Sequence, residues 1–208
     1  GKTDFRLLQE IYSQNEESQP IAQIADKLHP WAAFIFAGST FPKGYSSETG
    51  ADMLLTNAAA DINKSRGSLE SLDDVTAIFK AQPEETMINF LKASIKTNKE
   101  ETEDVKKLHQ AYSDGRFEEL IPLLEETEQR TLKRVDAKYA KAMSDWLKND
   151  LLIRRNQAWL PEIRKQSAKQ STLFAVGIAH LPSKKGLIEL LRQEGYQVTP
   201  EPKVLIWQ

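Results

Sequence analysis

The sequence contains no cysteine. This absence excludes disulfide bonds, thiolate zinc sites and cysteine nucleophiles. It leaves the compartment open, because cysteine-free chains occur both in the cytosol and outside it. The first residues, Gly1 to Asp4, include neither an initiator methionine nor the start of a charged-then-apolar signal segment. An upstream signal segment, if one has been removed, would indicate an exported or periplasmic protein.

The sequence also lacks an excess of either charge and any long apolar run. Lys and Arg number 28, Asp and Glu number 30, and the formal net charge is -2, so no overall field attracts nucleic acid or acidic lipid. The longest apolar run, Trp31 to Ala37, is far shorter than the roughly 18 residues that span a bilayer. We expect no nucleic-acid partner and no membrane span. A chain of 208 residues, 40% of them apolar, can bury one sizeable core, and we expect a single domain over residues 1–208.

Helical periodicity dominates the first three quarters of the chain. Apolar residues spaced by three and four predict helices over Leu7 to Tyr12, Ile21 to Leu28, about Glu48 to Asn63, and almost throughout from Pro83 to about Trp159. The abundant Glu and Lys of the last stretch indicate the solvated faces of a helical hairpin. For Trp31 to Ala37, periodicity alone leaves a core helix and a buried strand equally open.

The last third of the chain has a different pattern. Thr172 to Val176 is a continuous apolar run of the kind found in a strand buried on both faces. Gly186 to Glu194 has helical spacing and is closed by Gly195 as a C-cap. Short strands are predicted at Tyr196–Val198 and Val204–Trp207. This βαβ order predicts an α/β fold, dominated by helices around a small, mostly parallel sheet, with a long helical middle region.

His180 follows the end of the first predicted strand, three positions after Gly177. Ligands of parallel α/β sheets bind at the carboxyl ends of the strands, and a glycine there allows close backbone approach or a positive φ angle. Neutral imidazole is a common ligand of zinc, manganese or cobalt, and it can act as a general base. Taken alone, however, a Gly-x-x-His pattern favours a partly buried structural histidine.

The residues around His180 follow an ordered pattern. In chain order they are Arg155-Asn156, Trp159, Ala175-Val176-Gly177, His180-Leu181, Gly186-Leu187, Leu190-Leu191, Gly195-Tyr196 and Val198. This pattern resembles the C-terminal signature of the TraB/GumN family, relatives of the TIKI-type metal-dependent peptidases. Weaker correspondences extend the resemblance upstream, through Pro30-Trp31, then Glu48, Gly50 and Asp52, then Leu69-Glu70.

The resemblance implies a metal-dependent hydrolase that acts on peptide bonds and builds its site from two Gly-x-x-His motifs and nearby acidic residues. His180 would be a metal ligand or base, and Glu70 an acidic partner that also binds the metal. Arg155 and Asn156 would hold the substrate or the carboxylates, since arginine offers a planar fork to a carboxylate. Asp52 is a looser candidate. Structural roles stay open beside these: an ion pair of Arg155 with Asp52 or Glu70, a helix-turn hydrogen bond for Asn156, and a capped helix start for Glu70.

The resemblance also implies a role for Gly177, which would let the cofactor approach the end of the strand. Trp159 is expected in the core.

One departure from the family pattern bears on activity. The family's first Gly-x-x-His has no counterpart here, because the other histidines are His29, before a proline, and His109, in a Lys- and Gln-rich helix. Metal sites need three or more protein ligands, so we expect a suspected divalent ion (Zn, Mn or Co) to bind weakly or not at all. The chain would be N-terminally incomplete or a variant that lost the motif, with little turnover of a peptide or protein substrate.

Two other readings remain open, and the assignment as an enzyme is uncertain. A non-catalytic protein on the same scaffold would use its cleft to bind a peptide or a regulatory partner. A homodimer would form if a neighbouring copy replaced missing strands at an exposed sheet edge.

Overall fold

Every regular element in the computed structural model is helical, over the residues that it describes, 2–14, 16–39, 41 and 44–200. The α-helices are α1 (Lys2–Tyr12), α2 (Gln19–Ile24), α3 (Pro30–Gly38), α4 (Ala51–Asp61), α5 (Leu72–Lys80), α6 (Glu84–Ser113), α7 (Leu120–Leu132), α8 (Ala137–Asp145), α9 (Arg154–Ser167) and α10 (Leu187–Gln193). Short 3-10 turns lie at Ala25–Lys27, Ser47–Thr49, Phe117–Glu119 and Ile178–His180, and a π-helix covers Trp146–Ile153. Within these described ranges, no helix is both long and apolar enough to cross a bilayer.

The predicted α/β class is therefore wrong. Over the described ranges the chain forms no strand, and with it the expected parallel sheet and βαβ unit are absent. The run Thr172 to Val176 is irregular, and Leu173 within it is 76% exposed. Tyr196–Val198 is irregular as well, whereas Val204–Trp207 lies outside the described residues. A strand needs a neighbour that pairs with its backbone N–H and C=O groups, and the described part of the chain supplies none.

The helix predictions are confirmed, and the ambiguous run Trp31 to Ala37 is helical as part of α3. Pro20 and Pro30 both stand in the first turn of their helices, where a missing N–H removes no hydrogen bond and the fixed φ suits the helix.

A capping box begins α5. The Ser71 hydroxyl accepts a hydrogen bond from the Asp74 N–H (3.1 Å), and the Asp74 carboxylate accepts one from the Ser71 N–H (3.0 Å). Hydrogen bonds from Ser71 lower the pKa of the Asp74 carboxyl below its usual range.

The chain divides into two compact units, Gly1–Trp146 and Leu147–Gln208. The core of the first unit centres on Tyr12, whose buried hydroxyl donates to the Ala33 carbonyl oxygen at 2.7 Å and so joins α1 to α3. Burial raises the pKa of Tyr12. The other buried residues of this cluster are Leu8, Ile11, Ala22, Ala25 and Ile95.

A hairpin of α6 and α7 forms the long helical region of the first unit. The buried Asp104 carboxylate on α6 accepts hydrogen bonds from Arg130 (2.6 Å) and Thr127 (3.0 Å) on α7. One turn earlier on α6, Glu100 accepts two hydrogen bonds from Arg134, just after the end of α7, at 2.7 and 2.9 Å. Residue numbers therefore rise along the α7 side as they fall along α6, so the two helices are antiparallel. The helical hairpin expected from the sequence is confirmed.

The second unit is built around α9 and α10. Arg164 on α9 lies 3.3 Å from Glu194 at the end of α10. Gly195 then takes a positive φ of 89°, and the Tyr196 N–H donates to the Leu191 carbonyl oxygen at 3.0 Å. This is a Schellman-type end, in which glycine adopts the left-handed conformation without a Cβ penalty. The predicted C-cap is confirmed.

Candidate functional site

The side chains of Asn156 and His180 meet in the interior of the second unit. Asn156 lies in the first turn of α9, and His180 ends the 3-10 turn that precedes α10. Asn156 Oδ1 is 2.7 Å from His180 Nδ1, and Asn156 Nδ2 donates to the carbonyl oxygens of His180 (3.2 Å) and Lys185 (2.9 Å). Both side chains are buried, with 2% of Asn156 and 7% of His180 exposed. A single amide therefore fixes the imidazole and the loop that follows it.

This arrangement determines which imidazole nitrogen carries the proton. The two N–H groups of the Asn156 amide are both used on carbonyl oxygens, so its Oδ1 is the atom that faces His180. An amide oxygen only accepts, and His180 Nδ1 must therefore donate. In the neutral ring the lone pair then lies on Nε2. Histidines that bind a metal or act as a general base are commonly held in this way: one ring N–H donates to an acceptor, and the other nitrogen carries the lone pair.

Two further side chains of α9 extend this arrangement: Trp159 contacts His180, and Arg155 contacts Trp159. The Trp159 ring centroid is 4.5 Å from that of His180, and the Arg155 guanidinium lies 5.0 Å from the centroid of the Trp159 ring. Arg155 Nη1 also donates to the Leu151 carbonyl oxygen at 3.1 Å. The buried indole N–H of Trp159 has no hydrogen-bond partner among the described residues.

The expected core position of Trp159 is confirmed, since 4% of the residue is exposed. Sequence reasoning missed its contact with His180. The signal was the helical spacing: residues three and four apart are neighbours on a helix surface, which places Trp159 beside both Asn156 and Arg155.

The two glycines near His180 differ in whether the backbone around them leaves room for a side chain. Gly177 has a φ of -57°, and a Cβ there would lie 3.7 Å from the His180 ring, an ordinary contact. The positive φ considered for Gly177 is thus not observed, whereas the approach of a cofactor there stays a prediction. At Gly186, in contrast, a Cβ would lie 1.9 Å from the Pro182 carbonyl oxygen and 2.4 Å from that of Leu181. The glycine that the local fold requires is therefore Gly186.

The acidic candidates belong to the first unit. Glu70 lies directly before the capped start of α5, where its carbonyl oxygen accepts a hydrogen bond from the Ser68 hydroxyl. Asp52 is exposed in the first turn of α4. Of the predicted site residues, the second unit brings together Arg155, Asn156 and His180. The roles of Glu70 and Asp52 remain predictions.

The metal prediction can be compared with the ligands that the site offers. His180 presents a nitrogen of suitable chemistry, and its ring contacts the Asn156 amide and the Trp159 indole. Across the described ranges, no three His, Asp or Glu side chains lie together in a group that could hold a metal ion. Since protein metal sites use three or more ligands, the residues seen around His180 supply only part of one.

The described residues thus form a helical protein. Its buried histidine–amide pair lies in the second unit, between α9 and the turn that precedes α10. The model of the TraB/PrgY/gumN family matches residues 1–200, and the chain belongs to this family. The resemblance drawn from the Arg155 to Val198 pattern is thereby confirmed. No curated protein and no solved structure matches the chain.

Proposed function

We propose that the chain is a hydrolase of the TraB/PrgY/gumN family that acts on peptide bonds, with His180 at its reactive centre. The supporting observation is the hydrogen bond between Asn156 Oδ1 and His180 Nδ1, which leaves the lone pair of the neutral ring on Nε2. A general base needs this lone pair to take a proton from water, and a metal ligand needs it to bind the ion. A divalent ion, when bound, would act as a Lewis acid on the scissile carbonyl and on its attacking water.

The remaining residues have positioning and binding roles in this proposal. Asn156 holds the imidazole in one orientation and one tautomer. Arg155 binds a substrate carboxylate, because its guanidinium is planar and is already oriented over the Trp159 ring. Gly177 places no side chain against the His180 ring. With a single histidine at this centre we expect slow turnover.

A peptidase assay tests the proposal. The chain would be incubated with a mixture of quenched fluorescent peptides, with and without Zn²⁺, Mn²⁺ or Co²⁺, and compared with two variants. His180→Gln keeps an amide N–H for the Asn156 oxygen but loses the ring, and we expect it to lose cleavage by at least ~100-fold, within the range that a general base contributes. His109→Gln changes an exposed histidine on α6 and should cleave at the wild-type rate.

Circular dichroism would first confirm that both variants fold. Cleavage by His180→Gln at the wild-type rate would remove His180 from the mechanism. Absence of cleavage by the wild-type chain under every metal condition would remove the hydrolase assignment.

A second function, binding of a peptide or regulatory partner without catalysis, is favoured by one observation. No metal-ligating group of three side chains lies within the described residues. For this function, the peptide mixture should bind the chain without being cut, and binding should depend on Arg155 rather than on added metal. Mass spectrometry of the peptides after incubation separates the two functions.

A further inference from the structure

The two units of the chain carry opposite charge. Residues 147–208 contain ten Lys and Arg but five Asp and Glu, whereas residues 1–146 contain 18 Lys and Arg and 25 Asp and Glu. The near-neutral total therefore combines an acidic first unit with a basic second unit, and the second unit holds His180. An excess of positive charge around a site favours ligands that carry negative charge.

The carboxylates of the second unit already have cationic partners. Each of the four carboxylates in residues 147–200 has an Arg or Lys nitrogen within 4.0 Å; the pairs are Asp150–Arg154, Glu162–Lys165, Glu189–Arg192 and Glu194–Arg164. Lys184 and Lys185, in contrast, are exposed and form no ion pair among the described residues. Their two ammonium groups are thus open to the carboxylates of a ligand.

These two lysines lie close to His180 along a short loop. Residues 181–186 join His180 to α10, and the Asn156 amide nitrogen binds both the His180 carbonyl oxygen (3.2 Å) and that of Lys185 (2.9 Å). Since one nitrogen binds both oxygens, the backbone at Lys185 lies next to the backbone at His180. An extended peptide bound at His180 can therefore reach this loop with its neighbouring residues.

The backbone of the loop is fixed by its own hydrogen bonds. Ser183 has a φ of 82°, in a region that residues other than glycine rarely adopt. The Gly186 N–H donates to the Ser183 carbonyl oxygen at 3.1 Å, and the Ile188 N–H donates to that of Leu181 at 3.3 Å. Such a conformation persists where the surrounding contacts determine it, and it is concentrated at ligand-binding sites. A loop that is already ordered loses little entropy when a ligand binds.

We propose that residues 181–186 bind the acidic side chains of a peptide, through ion pairs of Lys184 and Lys185 with Asp or Glu residues that flank the bond held at His180. This inference rests on the proposed function for the class of ligand, a peptide, and adds that the peptide is acidic. A lysine ammonium is a point charge on a flexible stem, so the preference is for charge rather than for one sequence. Single-stranded nucleic acid is disfavoured, because its bases stack on accessible aromatic rings and Trp159 beside His180 is buried.

Peptide binding tests the proposal. A fluorescently labelled peptide rich in Glu, and a counterpart with Gln in place of every Glu, would be titrated with the whole chain at low salt while anisotropy is recorded. We expect the Glu peptide to bind at least ~5-fold more tightly, the order of effect of two exposed ion pairs. This preference should decline as added salt screens the charges. Equal affinity for the two peptides would overturn the proposal.

Matched double variants test whether the loop supplies the charge. Lys184→Gln with Lys185→Gln should abolish the preference for Glu, whereas Lys184→Arg with Lys185→Arg should preserve it. Lys106 and Lys107 are also adjacent and exposed, but they lie on α6 and form ion pairs within that helix. Lys106→Gln with Lys107→Gln changes the net charge equally and should preserve the preference. A similar loss in both Gln double variants would overturn the role of the loop.

The result is distinguishable from that of the peptidase assay. Preferential binding of the Glu peptide without cleavage under any metal condition supports the acidic ligand and removes the hydrolase assignment. Binding and cleavage of the Glu and Gln peptides to the same extent supports the hydrolase assignment and overturns the acidic preference. An RNA oligonucleotide that binds more tightly than the Glu peptide, and that is weakened by the Gln substitutions at Lys184 and Lys185, would overturn the peptide as the ligand of this loop.

Discussion

Asn156 and His180, 24 positions apart in sequence, form one hydrogen-bonded unit in which the amide accepts from the ring and donates to the backbone around it. The amide thus has two effects. Its oxygen determines which imidazole nitrogen carries the proton, and its N–H groups bind the carbonyl oxygens of His180 and Lys185. The pair therefore links the function proposed for His180 to the folding of the loop before α10.

The first prediction concerns the tautomer of His180. The neutral ring should carry its proton on Nδ1, because Asn156 Oδ1 only accepts. Long-range ¹H–¹⁵N NMR spectra of the histidine ring distinguish the two tautomers by the shifts of their nitrogens. In Asn156→Ala the preference should disappear, while Gln157→Ala, on the exposed neighbouring position, should preserve it. A wild-type ring protonated on Nε2 would contradict the proposed role of Asn156.

The second prediction separates the two glycines. Gly186→Ala should lower the free energy of unfolding by more than about 2 kcal/mol, since its Cβ would overlap the Pro182 carbonyl oxygen and backbone must move. Gly177→Ala should cost less than about 1 kcal/mol, because its φ is ordinary and its Cβ makes a normal contact. Urea denaturation of both variants checks this order. Equal losses would mean that the glycines are required for the same reason.

The third prediction concerns the buried carboxylate of the hairpin. Asp104→Ala should lower the free energy of unfolding by about 1–3 kcal/mol, because the Arg130 guanidinium, itself three-quarters buried, loses its partner. Lys107→Ala removes the other cation near Asp104, but that ammonium is exposed and 3.7 Å away. Its loss should change stability by less than about 0.5 kcal/mol. Thermal unfolding measures both variants, and similar losses of stability in the two would contradict this account.

The fourth prediction concerns acid pH. Hydrogen bonds from Arg134 lower the pKa of the Glu100 carboxyl below its usual range. Since the pKa is lower in the folded chain, this pair stabilises the hairpin above the ordinary carboxyl pKa, and its contribution is lost as the pH falls through the lowered value. NMR titration should show Glu100 returning to its ordinary pKa in Arg134→Gln but not in Lys133→Gln. An unchanged Glu100 titration in Arg134→Gln would show that another group lowers its pKa.

The helices could be predicted from the sequence because their signals are local. Apolar spacing, the proline in the first turn of α2 and Gly195 after α10 each act within a few residues. The prediction of a strand at Thr172 to Val176 failed because the residue types in this run indicate only a preference for extended backbone. A strand also requires a partner, which composition does not report.

The candidate site could be predicted only in part, because contacts between residues distant in sequence depend on the fold. The motif order places Asn156 and His180 in one candidate site, but the hydrogen bonds that join them depend on folding. The sequence marks Gly186 only as a motif position, because its close approach to the Pro182 carbonyl oxygen arises only in the folded chain. For Glu70, no local pattern reports how a residue far along the chain is placed relative to His180.

The partly exposed run from Thr172 to Val176 has a consequence for handling the protein. It carries no charge, it includes the strand-forming types Thr, Phe and Val, and it has no neighbouring strand in the described ranges, so identical segments of other molecules can stack on it as cross-β ladders. Such stacking grows without limit, because each added segment leaves a new unpaired edge. A lysine in place of Leu173 would add a repelling charge to every rung of the ladder and keep concentrated solutions clear.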